Sequence, residues 1–160
     1  AKSYANCVEL RKTWLESMAN IHLRDKNYSE AAHCYLHISA LIAENLKHQG
    51  MYTLGLDVFK KISPNIDQEE ELTKINEDNI NSENGEIDGM SEAQYTQGQL
   101  LDYLCKSAEM FKQAERYDFL PDIFKLAVAI YEPNRDYIHL QQMHQNIQKA
   151  YSYLAERDQK

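Results

Sequence analysis

Chemistry in this chain, if any, would begin at His33, Cys34 and His37. Two histidines one helical turn apart with a thiol between them have metal-ligand spacing. A zinc site needs three or four converging ligands, and nothing nearby in sequence completes the set. The expectation is therefore a pair of exposed or core-edge histidines and no bound metal. Glu69 and Glu70 lie side by side in an acidic run, where solvation is the default. Cys105 sits beside the apolar face of its helix, which predicts a buried, inert thiol. No Ser/His/Asp constellation can be drawn. No GxxxxGK or GxGxxG cradle occurs, so phosphate and dinucleotide cofactors have no seat. The expectation is that this chain has no catalytic residue and no cofactor.

The elements around these residues follow from composition. At 160 residues the chain forms one domain or one lobe over 1–160, long enough to bury a core. Hydrophobic residues make up 43%, while 5 Gly and 3 Pro leave too little turn punctuation for an all-β fold. Cys7, Cys34 and Cys105 are odd in number and widely spaced, which argues for a reducing compartment. No apolar run reaches the length of a membrane span, and no signal peptide opens the sequence. A cytoplasmic protein without direct membrane insertion is expected. Asn27-Tyr28-Ser29 spells a glycosylation acceptor, but outside secretion it has no role.

The net charge of −8 is local. Asp67 to Glu92 holds ten acids against Lys74 alone, a net of −9 that leaves the rest of the chain at +1. No basic stripe exists for phosphate contacts, so nucleic acid is excluded as a partner. Within that region, residues 76–91 are polar, acidic and without period, which predicts a mobile acidic surface loop.

Five segments carry a helical period. Leu10, Trp14, Met18 and Ile21 mark a helix over about 7–24. Ala31, Tyr35, Ile38 and Ile42 mark one over about 29–47, with Gly50 as its stop. Leu101, Leu104, Ala108 and Phe111 mark a third. Leu120, Phe124, Ala127 and Tyr131 mark a fourth, with Asp118 as N-cap and Pro121 tolerated in its first turn. Leu140, Met143, Ile147, Tyr151 and Leu154 mark a fifth. The expected core anchors are Trp14, Tyr35, Phe111 and Phe124, and Trp14→Ala would then cost about 3–5 kcal/mol.

Three segments share a register, each opening with a polar turn and a tyrosine. Tyr28, Ala31, Tyr35, Ile38, Ile42 repeats as Tyr117, Leu120, Phe124, Ala127, Tyr131 and as Tyr137, Leu140, His144, Ile147, Tyr151. A helical-hairpin array, TPR-like and all-α, is the predicted fold. Eleven tyrosines are a rich supply of interface area. Tyr4, Tyr52, Tyr95 and Tyr153 fall outside the register and are expected half-buried on a protein-binding face. The fourth and fifth helices, with Tyr131, Tyr137, Met143 and Tyr151, are the expected dimer surface.

A resemblance adds to this reading. Leu10-Arg11-Lys12-Thr13-Trp14-Leu15-Glu16-Ser17-Met18-Ala19, then Ser29-Glu30-Ala31-Ala32-His33-Cys34-Tyr35-Leu36-His37-Ile38 and Ala40-Leu41-Ile42-Ala43-Glu44, resemble the opening of DOCK homology region two. Phe59 to Ile66 and Tyr117 to Tyr137 continue it over nearly the whole chain. Gln94-Tyr95, Leu100-Leu101 and Ala108 to Phe111 look more like the zizimin-related (DOCK-C) branch than the zizimin (DOCK-D) branch. The resemblance implies a parent that is a guanine-nucleotide exchange factor for Rho-family GTPases of the Rac/Cdc class. It implies a helical first lobe that supports two others and mediates homodimerisation, while those lobes bind the GTPase and the third supplies a nucleotide-expelling valine. The lobe thus meets the GTPase only indirectly. In the DOCK-C branch, leucine-rich-repeat/calponin-homology scaffolds are implied partners, and other parts of the parent would recruit it to membranes. Residues 156–160 lie inside a helical stretch short of those lobes, as in a piece of a longer region. The second functional class is a free-standing helical-repeat adaptor that binds a peptide or a scaffold protein.

Overall fold

The structure, a computed structural model, describes residues 4–54, 56–63 and 95–158. The acidic stretch 76–91 lies outside the described residues. Among those described, six α-helices and one 3-10 turn account for nearly everything, with no strand. The helices are α1 (Tyr4–Arg24), α2 (Tyr28–His48), α3 (Leu56–Ile62), α4 (Gln97–Gln113), α5 (Leu120–Tyr131) and α6 (Tyr137–Asp158), and the 3-10 turn Tyr117–Phe119 precedes α5. They pack as an open array in the order α1, α2, α4, α5, α6, with α3 against α2. The fold is all-α, built from antiparallel hairpins.

The turns explain the register. Four helices close in the same way, with a left-handed residue followed by one whose N–H reaches back to the last turn. After α1, Lys26 (φ 61°) and Asn27 donate to the carbonyls of Leu23 (3.0 Å) and His22 (2.7 Å). Gly50 and Met51 do so after α2, Glu115 and Arg116 after α4, and Arg135 and Asp136 after α5. Lys26, Glu115 and Arg135 each stand two residues before a tyrosine, at Tyr28, Tyr117 and Tyr137. The polar turn and leading Tyr of the sequence are thus one backbone motif used three times. At the start of α4, Thr96 Oγ1 accepts from the Gln99 N–H at 3.1 Å and Gln99 Oε1 accepts from the Thr96 N–H at 2.9 Å, a reciprocal cap.

The core runs along α2. Ala31, Ala32, Leu36, Ile38, Ile42, Ala43 and Leu46 are all buried, and α4 closes on them with Leu100, Leu104 and Phe111. The small side chains of α2 let its neighbours approach, and the Ser107 hydroxyl of α4 donates to the Ala32 carbonyl at 2.9 Å. Ile123, Leu126 and Ile130 of α5 complete the interior.

Several expectations are corrected here. Trp14 is 50% exposed, and the inward face of α1 is made by Leu15 and Ala19 instead. Leu10 and Ile21 face solvent with it, so the stripe seen in the sequence is real but points outward. Tyr35 and Phe124 are partly buried against the core, and Phe111 is wholly enclosed. Asp118 does not cap α5: the 3-10 turn intervenes, Phe119 takes the cap position without a side-chain bond, and the Asp118 carboxylate pairs with Arg116 at 3.4 Å. Pro121 does lie in the first turn of α5. In the third repeat the leading Tyr137 is exposed, because α6 is the end of the array and no later helix covers it among the described residues.

Candidate functional site

The His33, Cys34 and His37 group is packed, and its chemistry is muted. The His33 ring stands edge-on to Phe111 (5.0 Å) and Phe119 (5.4 Å). Burial lowers its pKa, and Arg116 adds to that against the pull of Glu30. Burial, with His33 and Arg11 nearby, pushes His37 down to about 4. The Cys34 thiol is raised by burial and by Glu30. These groups stay neutral near pH 7. Among the described residues, no three His, Cys, Asp or Glu side chains gather to hold a metal ion. Cys105, expected to be buried, is an exposed residue on α4, because the core face of that helix is taken by Leu104 and Ala108. Its sulfur is sheltered enough that desolvation, then Asp102, raises the thiol pKa. It lines a groove of about 270 Å³ between α4, α5 and α6, with Leu120, Phe124 and Met143 within and Lys112, Lys149 and Glu109 alongside.

The surface features lie at the two ends of the array. On α6, Tyr137 (69% exposed) and Tyr151 stand fourteen residues apart on one stripe, with exposed Gln141, His144 and Gln148 between them. Ile138 is 71% exposed beside Tyr137. Asp136 fixes this end, accepting from the His139 N–H at 3.3 Å and lying 2.7 Å from the His139 ring, which stacks on Tyr131 at 4.8 Å. At the other end of α6, Tyr153 stacks on Tyr117 at 4.6 Å, and the Lys125 ammonium donates to the Tyr151 hydroxyl at 3.3 Å. Met143, expected on the interface, is buried: with Ile147 and Ala150 it forms the inward face of α6. Tyr131 is only partly buried, and its exposed side is shared with His139.

Two of the unregistered tyrosines are core residues. The buried Tyr52 donates to the Leu126 carbonyl at 2.9 Å, and the buried Tyr95 donates to a Glu9 carboxylate oxygen at 2.6 Å. Neither joins an outer face; Tyr153 does, and the side chain of Tyr4 lies outside the described residues. Sequence reasoning missed Ile138. Its signal was available: it sits two positions before Leu140, off the Leu140, Met143, Ile147 stripe, and so on the far side of the helix.

The fold and these faces define the class, an all-helical array of hairpins with exposed apolar and aromatic side chains at both ends. The family DHR-2, Lobe A matches residues 1–156, and the chain belongs to it. It is 40% identical over 156 residues to Dedicator of cytokinesis protein 9 of Mus musculus, covering 98% of this chain and 7% of that protein. Identity is 34% to Dedicator of cytokinesis protein 11 of Danio rerio, again over 98% of this chain and 7% of the relative. It is 33% to Dedicator of cytokinesis protein 8 of Homo sapiens, over 100% of this chain and 8% of the relative. The chain thus spans less than a tenth of the length of each of these three relatives. Among the described residues, no helix is long and apolar enough to cross a membrane.

Proposed function

We propose that this lobe is a non-catalytic scaffold and dimerisation element of a guanine-nucleotide exchange factor for Rho-family GTPases of the Rac/Cdc class, whose other lobes hold the GTPase. The observation that carries the reading is the α6 face at one end of the array, where Tyr137, Ile138 and Tyr151 stand exposed in a chain of the DHR-2, Lobe A family. Tyrosine supplies large contact area with a polar edge, the chemistry of a surface that leaves water on association. A stable homodimer needs at least about 1,000 Å² in total, so neighbouring α5 must contribute beside α6.

Sedimentation equilibrium tests this. Wild type is expected to dimerise at high micromolar concentration, and Tyr137→Ser/Ile138→Ser/Tyr151→Ser to remain monomeric with an unchanged melting temperature. A wild type that is monomeric throughout would remove the dimer from the reading. In a nucleotide-release assay with a Rac-class GTPase, the lobe alone is expected to give no acceleration; clear acceleration overturns the division of labour between lobes.

The second reading, a helical-repeat adaptor, is favoured by the groove between α4, α5 and α6, whose apolar interior and flanking Lys112 and Lys149 suit a peptide. A leucine-rich-repeat/calponin-homology scaffold is the partner proposed for it, and a pull-down that retains none counts against it. The proposed location is cytoplasmic, with membrane recruitment through other parts of the parent. The finer branch, zizimin-related (DOCK-C) over zizimin (DOCK-D), rests on Gln94-Tyr95, Leu100-Leu101 and Ala108 to Phe111. Grouping of the full parent sequence with the zizimin branch would overturn it.

A further inference from the structure

The other end of the array carries a different surface. Leu10, Trp14, Ser17, Ile21 and Arg24 follow one another along α1 at spacings of 4, 3, 4 and 3, and all are exposed. That is the 3.5-residue period of a seam made to receive another helix. Leu10 is 58% exposed, and Arg11 holds its guanidinium 4.5 Å from the Trp14 ring. The end helix of a stacked array ordinarily shows a polar outer face. α1 instead exposes Leu10, Trp14 and Ile21.

We infer that this seam seats an amphipathic helix of the same polypeptide, from the stretch directly preceding Ala1. Three features select that occupant. Helices that follow one another in the chain pack together at three of the four steps of the array, α1 on α2, α4 on α5 and α5 on α6, with only α2 and α4 meeting past an intervening α3, so the next position outward falls to the element before α1. Dedicator of cytokinesis protein 9 of Mus musculus and protein 8 of Homo sapiens are more than ten times longer than this chain, so parent chain is available to supply it. The seam is also too small for a free partner. Three half-exposed side chains of on the order of 100 Å² each, met by an equal surface, bury roughly 600 Å², short of the ~1,000 Å² of a stable dimer. Tethering removes that requirement by holding the helix at an effective concentration in the millimolar range. The inference is independent of the α6 dimer.

Trp14 is the only tryptophan of the chain and sits in the middle of the seam, so it reports directly. The 160-residue chain and a form extended upstream by one helical hairpin of the parent, its own tryptophans replaced by phenylalanine, are compared by emission and thermal melting. The extended form is expected to emit at shorter wavelength and melt higher. Leu10→Lys/Ile21→Lys should abolish both changes in the extended form while leaving the melting of the 160-residue chain unmoved. Identical Trp14 emission in the two forms overturns the inference. So does a blue shift of the 160-residue chain on raising its concentration, which would give the seam to a second copy.

Discussion

The Tyr103 hydroxyl of α4 donates to the Glu16 carboxylate of α1, joining helices whose residues stand 87 positions apart. Lys12 pairs with the same carboxylate at 3.0 Å, and Lys106 lies 4.9 Å from the Tyr103 ring. Burial opposes the charge on Glu16, but the Tyr103 and Lys12 bonds, with the Lys12 and Lys106 charges, outweigh it and hold the carboxyl below its usual range. A group with a depressed folded pKa stabilises above its unfolded value and loses that contribution as pH falls through the folded one. A double-mutant cycle with Tyr103→Phe and Glu16→Gln is expected to show about 1 kcal/mol of coupling at pH 7, modest because the site is partly solvated. The coupling should fade at acid pH. No coupling at neutral pH would mean the contact does not hold α1 to α4.

Acid should also act through His37. Its folded pKa of about 4 lies well below the ordinary histidine value, because burial first, then His33 and Arg11, disfavour the cation. Between pH 6.5 and 4 the unfolded chain takes up a proton that the folded one refuses, so stability falls as pH drops through that window. The full effect is on the order of 3 kcal/mol. Urea midpoints measured at pH 7 and pH 5 should fall less for His37→Gln than for wild type. An equal fall in both would place the histidine in water.

The helix stops give a prediction of opposite sign. Lys26, Glu115 and Arg135 adopt positive φ without being glycine, and all three are exposed. Left-handed backbone costs an L-residue about 1 kcal/mol or more, part of which glycine returns as unfolded-chain entropy. Lys26→Gly, Glu115→Gly and Arg135→Gly should each stabilise by about 0.5 kcal/mol and add together, being remote from one another. Gly50→Ala, at φ 76° with open space around the added carbon, should destabilise by about 1 kcal/mol through the backbone alone. Denaturant midpoints that moved the other way would show these turns held by their side chains.

Helices were legible in the sequence because period and stop signals are local. The Tyr-led register marked real hairpins, since a left-handed residue two positions earlier sets each one. Which side of a helix is covered is not a local property. Along α1 the stripe through Leu10, Trp14 and Ile21 outweighs Leu15 and Ala19 in any hydropathy reading, yet Leu15 and Ala19 are the side chains that α1 buries. In α6, Met143 shares a sequence stripe with the outward Tyr151, yet it lies buried with Ile147 and Ala150. Asp118 fits the composition of a cap, but the 3-10 turn that displaces it is set by tertiary contacts with α4 and α6. Tyr95 is buried with its hydroxyl on Glu9 of α1, 86 positions away, a packing role that its place in the sequence does not reveal.

The last test separates the two aromatic anchors that looked alike in sequence. Phe111 is wholly enclosed, touching His33 and stacked on Phe119 at 4.5 Å. Its deletion leaves a cavity that α2 and α4, held together at Ser107 and Ala32, cannot close. Phe111→Ala is therefore expected to cost about 3–5 kcal/mol, the range of buried aromatic truncations. Trp14→Ala removes a side chain already half in water, with no enclosed volume to lose. Its cost is expected to stay under about 1 kcal/mol, the range of surface changes plus the loss of the Arg11 contact. Urea unfolding of the two variants at one pH decides the matter. A Trp14→Ala loss as large as that of Phe111→Ala would mean that, in solution, the outer stripe of α1 is covered within residues 1–160.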